Sequence, residues 1–167
     1  DQFIITGGYK RIGLIIDKAV KNNPFVLKFE NQLNSGSKKI VKWIYDLPFE
    51  PDYNSLDSKR TLFENLKNPD TDILVSIGGG SVIDFAKGIA TLCTNHNNAI
   101  HYKGFPDNLN PSIPVIACPS TLGTASEVTY NAVFTDKETE RKLGINTKNN
   151  FPILSILDPN LIIGSPK

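Results

Sequence analysis

The chain has 167 residues, 40% of them hydrophobic and 21% charged, with a formal net charge of +1. That composition describes one folded domain with a core of ordinary size rather than a disordered segment. The near-neutral charge gives no electrostatic case for nucleic acid or an anionic membrane surface as a partner, and no apolar run reaches the length of a membrane span.

In chain order, Phe3-Ile4-Ile5 has strand character and Gly7-Gly8 breaks it. Ile12, Leu14, Ile15, Ile16, Ala19 and Val20 suggest an amphipathic helix from about Tyr9 to Val20, ended by Asn22-Asn23-Pro24. Phe25 to Phe29 reads as a strand with Glu30 at its carboxyl end, Gln32 to Lys39 as a polar loop, and Ile40 to Tyr45 as a further strand. Leu47 to Asp52 carries Pro48 and Pro51 and is extended or turned; Leu56 to Leu66 is a helix. Ile73 to Ile77 is a short buried strand, and Val82 onward has helical spacing to about Thr94. Asn95 to Pro111 reads as a surface loop and Pro114 to Cys118 as a buried strand. Thr129 to Thr135 and Lys142 to Ile145 pair as a hairpin around Asp136-Lys137-Glu138. Ile153 to Leu157 is a last strand, closed by Asp158-Pro159. Strands alternating with helices predict an α/β fold: a Rossmann-like, doubly wound, mostly parallel sheet with helices on both faces and a β-hairpin insertion.

Between the strand at Ile73 and the helix at Val82 lie Gly78-Gly79-Gly80-Ser81. Glycines let backbone approach a bulky anion, and the following helix turns its positive end toward it, so the turn suits a phosphate. The same residues also suit a plain strand-to-helix turn, with Ser81 and Asp84 as a capping box; the two readings are compatible. The spacing is neither that of a G-x-G-x-x-G fingerprint nor that of a Walker loop. Pro119 to Thr129 is a second stretch rich in hydroxyl and small residues, again directly after a strand. Two such strand ends would flank one crevice in a doubly wound sheet, although a single loop of this kind can equally satisfy its own backbone. Glu30, as an acid at a strand end, could accept ribose hydroxyls or be an ordinary loop carboxylate. His96 and His101 stand five apart in a polar stretch, which is not metal-ligand spacing on one helix face. Cys93 and Cys118 read as buried free thiols, which fits a cytoplasmic location, and no leader is read at the N-terminus.

Gly78-Gly79-Gly80-Ser81-x-x-Asp84-x-x-Lys87, followed by Pro119-Ser120-Thr121-x-Gly123-Thr124-x-Ser126-Glu127-Val128-Thr129, resembles the iron-containing (group III) alcohol dehydrogenase family. Ile156-Leu157-Asp158-Pro159, with Leu161 and Pro166, is similar to that family's stretch at its domain junction. The resemblance covers the chain from about Phe3 and is strongest after Asp72. It implies that residues 1–167 form the N-terminal NAD(P)-binding domain of an oxidoreductase interconverting a small alcohol and an aldehyde or ketone. A C-terminal helical domain outside this chain would hold Fe²⁺ or Zn²⁺ through one Asp and three His, and the metal would polarise the substrate oxygen. The chain alone would then bind cofactor weakly and turn over nothing, with no catalytic or metal-ligating residue of its own. A homodimer is compatible with the family.

Residue by residue, the resemblance places Gly79, Gly80 and Ser81 on the pyrophosphate, and Ser120, Thr121 and Thr124 near the phosphates and ribose. It places Asn131 and Val133 on the nicotinamide side and Lys142 at the ribose. Glu30 stands near the position of an NAD-selecting acid, and Asp52 near a polar contact after the third strand. The sequence departs from the family in having Ser120 for the commoner Thr and Ala125 for a common Gly. It also shows no full helix between the strands placed at Phe25 and Ile40. Alternatives are a reductase of a small phosphonate-bearing aldehyde within the same family, and a stand-alone, non-catalytic nucleotide-binding module. Dehydroquinate synthases share the architecture but not the wording of Ser120 to Thr129.

Overall fold

A computed structural model describes residues 2–34, 37–47, 50–64 and 72–163. The element order is α1 (Gln2–Thr6), β1 (Arg11–Asp17), α2 (Pro24–Asn34), β2 (Lys39–Tyr45), α3 (Tyr53–Glu64), β3 (Ile73–Gly78) and α4 (Gly80–Leu92). It continues with β4 (Val115–Pro119), β5 (Asn131–Asp136), β6 (Arg141–Asn146), β7 (Leu154–Ser155) and α5 (Pro159–Ile162). Five strands form one sheet in the order β2-β1-β3-β4-β7, and all its pairings are parallel. β5 and β6 form a separate antiparallel hairpin. The predicted fold class is therefore the one observed.

The sheet buries both faces. Ile12, Leu14, Ile16, Ile73, Val75, Ile77, Ile116 and Cys118 pack with Ile4 of α1, Val26 and Leu33 of α2, and Leu161 of α5. Ile15, Val41, Leu74 and Val115 point the other way, against Leu56 and Phe63 of α3 and Val82, Phe85, Ala86 and Ile89 of α4. α4 is the central helix: twelve of its thirteen residues are buried, because the sheet covers one side and β5 the other through Ala132 and Phe134. Gly88 is required there, since a Cβ would sit 2.7 Å from Phe134 and 2.8 Å from Leu56. At the amino ends of β1 and β3, Asp72 accepts from the Lys10 and Arg11 amides and from the Arg11 guanidinium, which ties the two strands.

Most differences from expectation fall in the first third of the chain. Phe3 to Ile5 lies in a helix, not a strand. Tyr9 to Val20 contains strand β1, not a helix. Phe25 to Phe29 lies in helix α2, not a strand; Pro24 opens that helix and Asn23 Oδ1 accepts from the Phe25 amide. The helix not evident in the sequence between two strands is therefore α2, between β1 and β2. It extends through Asn34 into what reads as a loop, while Ser35 and Gly36 lie outside the described residues. α3 starts earlier than expected, at Tyr53; Leu66, Pro48 and Pro166 lie outside the described residues. The stretch Asn95 to Pro111 includes a 3₁₀ turn, Ala99–Tyr102, whose Ala99 and Tyr102 are buried. The strand expected at Ile153 to Leu157 is only the two-residue β7.

Candidate functional site

β3 and β4 are adjacent and parallel, with Gly78 opposite Pro119, so their carboxyl ends open on the same edge of the sheet. The Ser120 amide donates to the Gly78 carbonyl at 2.9 Å and joins the two loops at their roots. The glycine turn is held tight: a Cβ on Gly80 would stand 2.8 Å from Cβ, Cγ2 and Oγ1 of Thr124, and one on Gly79 would stand 3.3 Å from Thr121 Oγ1. Gly123 has φ +101° and Ala125 φ 53°, so the hydroxyl loop turns twice through left-handed backbone. Ala125 holds this left-handed backbone with some strain, a conformation that glycine adopts without it.

α4 begins at Gly80 with Gly79 as N-cap, and no side chain caps it. The capping box is therefore absent. Ser81 is exposed. Asp84 instead turns inward, where one carboxylate oxygen accepts from the Val133 amide at 3.1 Å. An uncapped N-terminus presents N–H groups and partial positive charge to the space above it.

That space is a cavity of about 320 Å³, lined by Gly80, Ser81, Asp84, Thr124, Ser126, Thr129, Asn131, Val133, Lys142 and Glu50 among others. Six of the residues singled out in the sequence meet here: Gly80, Ser81, Thr124, Asn131, Val133 and Lys142. Gly79, Ser120 and Thr121 stand at the adjoining strand ends. Lys142 on β6 reaches across to Glu50, an ion pair of two exposed side chains.

Two singled-out residues lie elsewhere. Glu30 is inside α2 and pairs with Lys42 at 3.0 Å, so it is not a strand-end acid. Asp52 caps α3 through the Ser55 amide, pairs with Lys137 at 2.7 Å, and lines neighbouring hollows rather than the crevice. The strand-end acid is Asp17, the last residue of β1. It sits beside the glycine turn, where a Cβ on Gly78 would lie 2.9 Å from the Asp17 Cβ, and its Oδ1 accepts from the Ala19 amide. The helix-like spacing of β1 masks it in the sequence.

The sequence also left Lys87 without a role. Its ammonium is fully buried, donates to the Asn131 carbonyl at 2.9 Å and to Thr129 Oγ1 at 3.4 Å, and lies 3.6 Å from Asp84 Oδ1. Burial pushes the Asp84 carboxyl up and the Lys87 ammonium down, and each partner's charge offsets part of that shift. The available signal was an Asp and a Lys three apart in an otherwise apolar helix.

Cys93 and Cys118 are free, and burial pushes both thiols up to about 12. His96 and His101 are exposed. Among the described residues, no group of three or more His, Cys, Asp or Glu converges. The described residues thus supply no set of side chains that would hold a metal ion by themselves. No helix of the described residues is long and apolar enough to cross a membrane.

The chain matches the model of the iron-containing alcohol dehydrogenase family over residues 2–159. It is 34% identical over 164 residues to a 1,3-propanediol dehydrogenase of Citrobacter freundii, which covers 97% of this chain and 41% of that protein. It is 44% identical over 103 residues to alcohol dehydrogenase 4 of Schizosaccharomyces pombe, covering 62% of this chain and 24% of that one. Among solved structures, a 1,3-propanediol oxidoreductase superposes with a TM-score of 0.86 at 32% identity, over 99% of this chain and 42% of its own. A sulfoacetaldehyde reductase from Bifidobacterium kashiwanohense, in complex with NAD⁺, superposes at 0.83 over 99% of this chain and 43% of its own, but at 23% identity that likeness is one of fold. The chain thus spans about two fifths of the length of the relatives it matches from end to end. By its family model, its relatives and its fold, the chain belongs to the iron-containing alcohol dehydrogenase family.

Proposed function

We propose that this chain is the cofactor-binding part of an NAD(P)-dependent oxidoreductase that interconverts an alcohol and an aldehyde or ketone. One observation carries the proposal: the uncapped N-terminus of α4 and the hydroxyl loop after β4 close on each other at Gly80 and Thr124, over a cavity that continues to the β5–β6 hairpin. In this reading the amides around Gly79 to Ser81, with the hydroxyls of Ser120, Thr121 and Thr124, hold the pyrophosphate. Asn131 and Val133 line the nicotinamide side, and Lys142 exchanges Glu50 for a ribose oxygen. Asp17 takes the place first given to Glu30: an acid at the end of β1, beside the glycine turn, accepts from a ribose diol and repels a 2′-phosphate. The bound nicotinamide supplies or takes the hydride. The side chains here orient it by filling one wall of the cleft. The metal and the substrate pocket belong, in this proposal, to the part of the family's length that this chain does not cover.

Fluorescence titration with NADH and NADPH tests the reading. The chain is expected to bind NADH more tightly than NADPH, and Asp17→Ser to narrow or reverse that order. Absence of binding to either dinucleotide would refute the crevice assignment. Equal affinity in the unaltered chain would remove the role given to Asp17.

A further inference from the structure

α4 touches both ends of the crevice. Its first residues, Gly80 and Ser81, face the anion-binding end. Asp84 and Lys87, one and two turns further on, meet the hairpin that forms the other wall. Both contacts reach the backbone of β5: Lys87 Nζ donates to the Asn131 carbonyl at 2.9 Å, and the Asp84 carboxylate accepts from the Val133 amide at 3.1 Å. Asn131 and Val133 are the two β5 residues singled out as lining the nicotinamide side, and their side chains are exposed toward the cavity they line.

The charges are costly where they stand. Lys87 is fully buried and Asp84 nearly so, and their 3.6 Å separation is an ion pair rather than a hydrogen bond. A buried pair of this kind is seldom an efficient source of stability, since apolar residues of similar volume often do as well. It does fix geometry, because the contacts that repay part of the lost hydration are few and directional, Asp84 Oδ1 having only the Lys87 charge at 3.6 Å and no hydrogen bond among the described residues. All those partners lie on one side: Thr129 and Asn131 for Lys87, Val133 and Ser126 for Asp84.

We propose that Asp84 and Lys87 are a positioning pair that sets the distance between the phosphate end of the crevice and its hairpin wall. Lys87 is fully buried and touches no ligand in this account, and Asp84 shows only an edge of its side chain to the cavity; both act through the backbone of Asn131 and Val133. The inference rests on the cofactor reading above and adds a division of labour to it. The N-terminus of α4 recognises the diphosphate, and its second and third turns hold the wall against which the nicotinamide half lies.

The test separates positioning from stability. Lys87→Met alone strands the Asp84 carboxylate in the interior and is expected to lower the melting temperature. Lys87→Met with Asp84→Asn removes both buried charges at nearly constant volume and is expected to recover most of that loss. In both variants NADH affinity is expected to fall about tenfold, the equivalent of one polar contact misplaced on the wall. Affinity for ADP, which carries the diphosphate but no nicotinamide half, should stay at the unaltered value. Recovery of NADH affinity together with melting temperature in the double variant would overturn the proposal, leaving the pair a structural element only. An equal loss of ADP and NADH affinity would overturn it too. Failure of the unaltered chain to bind either ligand would overturn the crevice reading itself, and this inference with it. Should Lys87→Met fail to fold, the double variant alone decides between these outcomes.

Discussion

Replacing Gly80 by alanine places a Cβ 2.8 Å from three atoms of Thr124. Ordinary contact needs about 0.6 Å more, so one side must yield. α4 cannot, because twelve of its thirteen residues are buried. The hydroxyl loop can: Thr124 is exposed, and its hydroxyl has only a long 3.5 Å contact with the Ser126 amide. Overpacking of a well-filled site costs about 1–3 kcal/mol, and alanine returns up to about 1 kcal/mol over glycine in a helix. The net loss of stability is therefore about 0–3 kcal/mol. Binding suffers more. A loop pushed outward gives up at least one hydrogen bond to a charged phosphate, about 1.5–3 kcal/mol, so NADH and ADP should both bind about 10- to 150-fold more weakly. Thermal melting and fluorescence titration, with ADP as competitor, read the two effects separately. Gly80→Ala combined with Thr124→Gly removes all three close atoms and should recover the stability. Wild-type affinity in Gly80→Ala would refute the reasoning, because the loop and the helix N-terminus would then not share a ligand.

Gly88→Ala tests the packing of α4 on the hairpin. Its Cβ would stand 2.7 Å from Phe134 and 2.8 Å from Leu56, both fully buried, so a net loss of about 1 kcal/mol is expected after the helix preference of alanine is counted. A rise in melting temperature would contradict that packing. Asp136 links the end of β5 to Lys103 at 2.7 Å and to Thr139 at 2.8 Å, and Lys103 in first place holds its carboxyl down to about 2. Its folded value lies below the unfolded one, so this tie contributes fully above about pH 4 and is lost as pH falls toward the folded value. Lys103→Gln should flatten the acid dependence of the melting temperature over that range; parallel curves for the two proteins would show that the tie is idle.

Most of the stretch from Asp72 to Ile145 is legible because its main elements carry their own punctuation. Three glycines separate β3 from α4, and a polar turn separates β5 from β6. The first third misled for definite reasons. β1 lies between β2 and β3, so Ile12, Leu14 and Ile16 fill one face while Ile15 fills the other. A strand buried on both faces reads as a continuous apolar run, which spacing alone does not distinguish from a helix. Asn23-Pro24 has the form of an end signal, yet Asn and Pro in that order also begin helices, and here they begin α2. The local ambiguity extends to function. With β1 read as a helix and α2 as a strand, the strand-end acid became Glu30 in place of Asp17. The role of Asp84 was hidden for another reason: a capping box is a local pattern, whereas its partners Val133 and Lys87 meet it only once the hairpin folds onto α4.

The central claim is that the turn at Gly79 to Ser81 and the loop at residues 120–124 hold a diphosphate between them. Titration of ¹⁵N-labelled protein with ADP tests it most directly. The largest amide shifts are expected at Gly79, Gly80 and Ser81 and at residues 120–124, with smaller changes along β5. Shifts concentrated instead around Asp52 and Lys137, or spread evenly with none at the glycine turn, would contradict it.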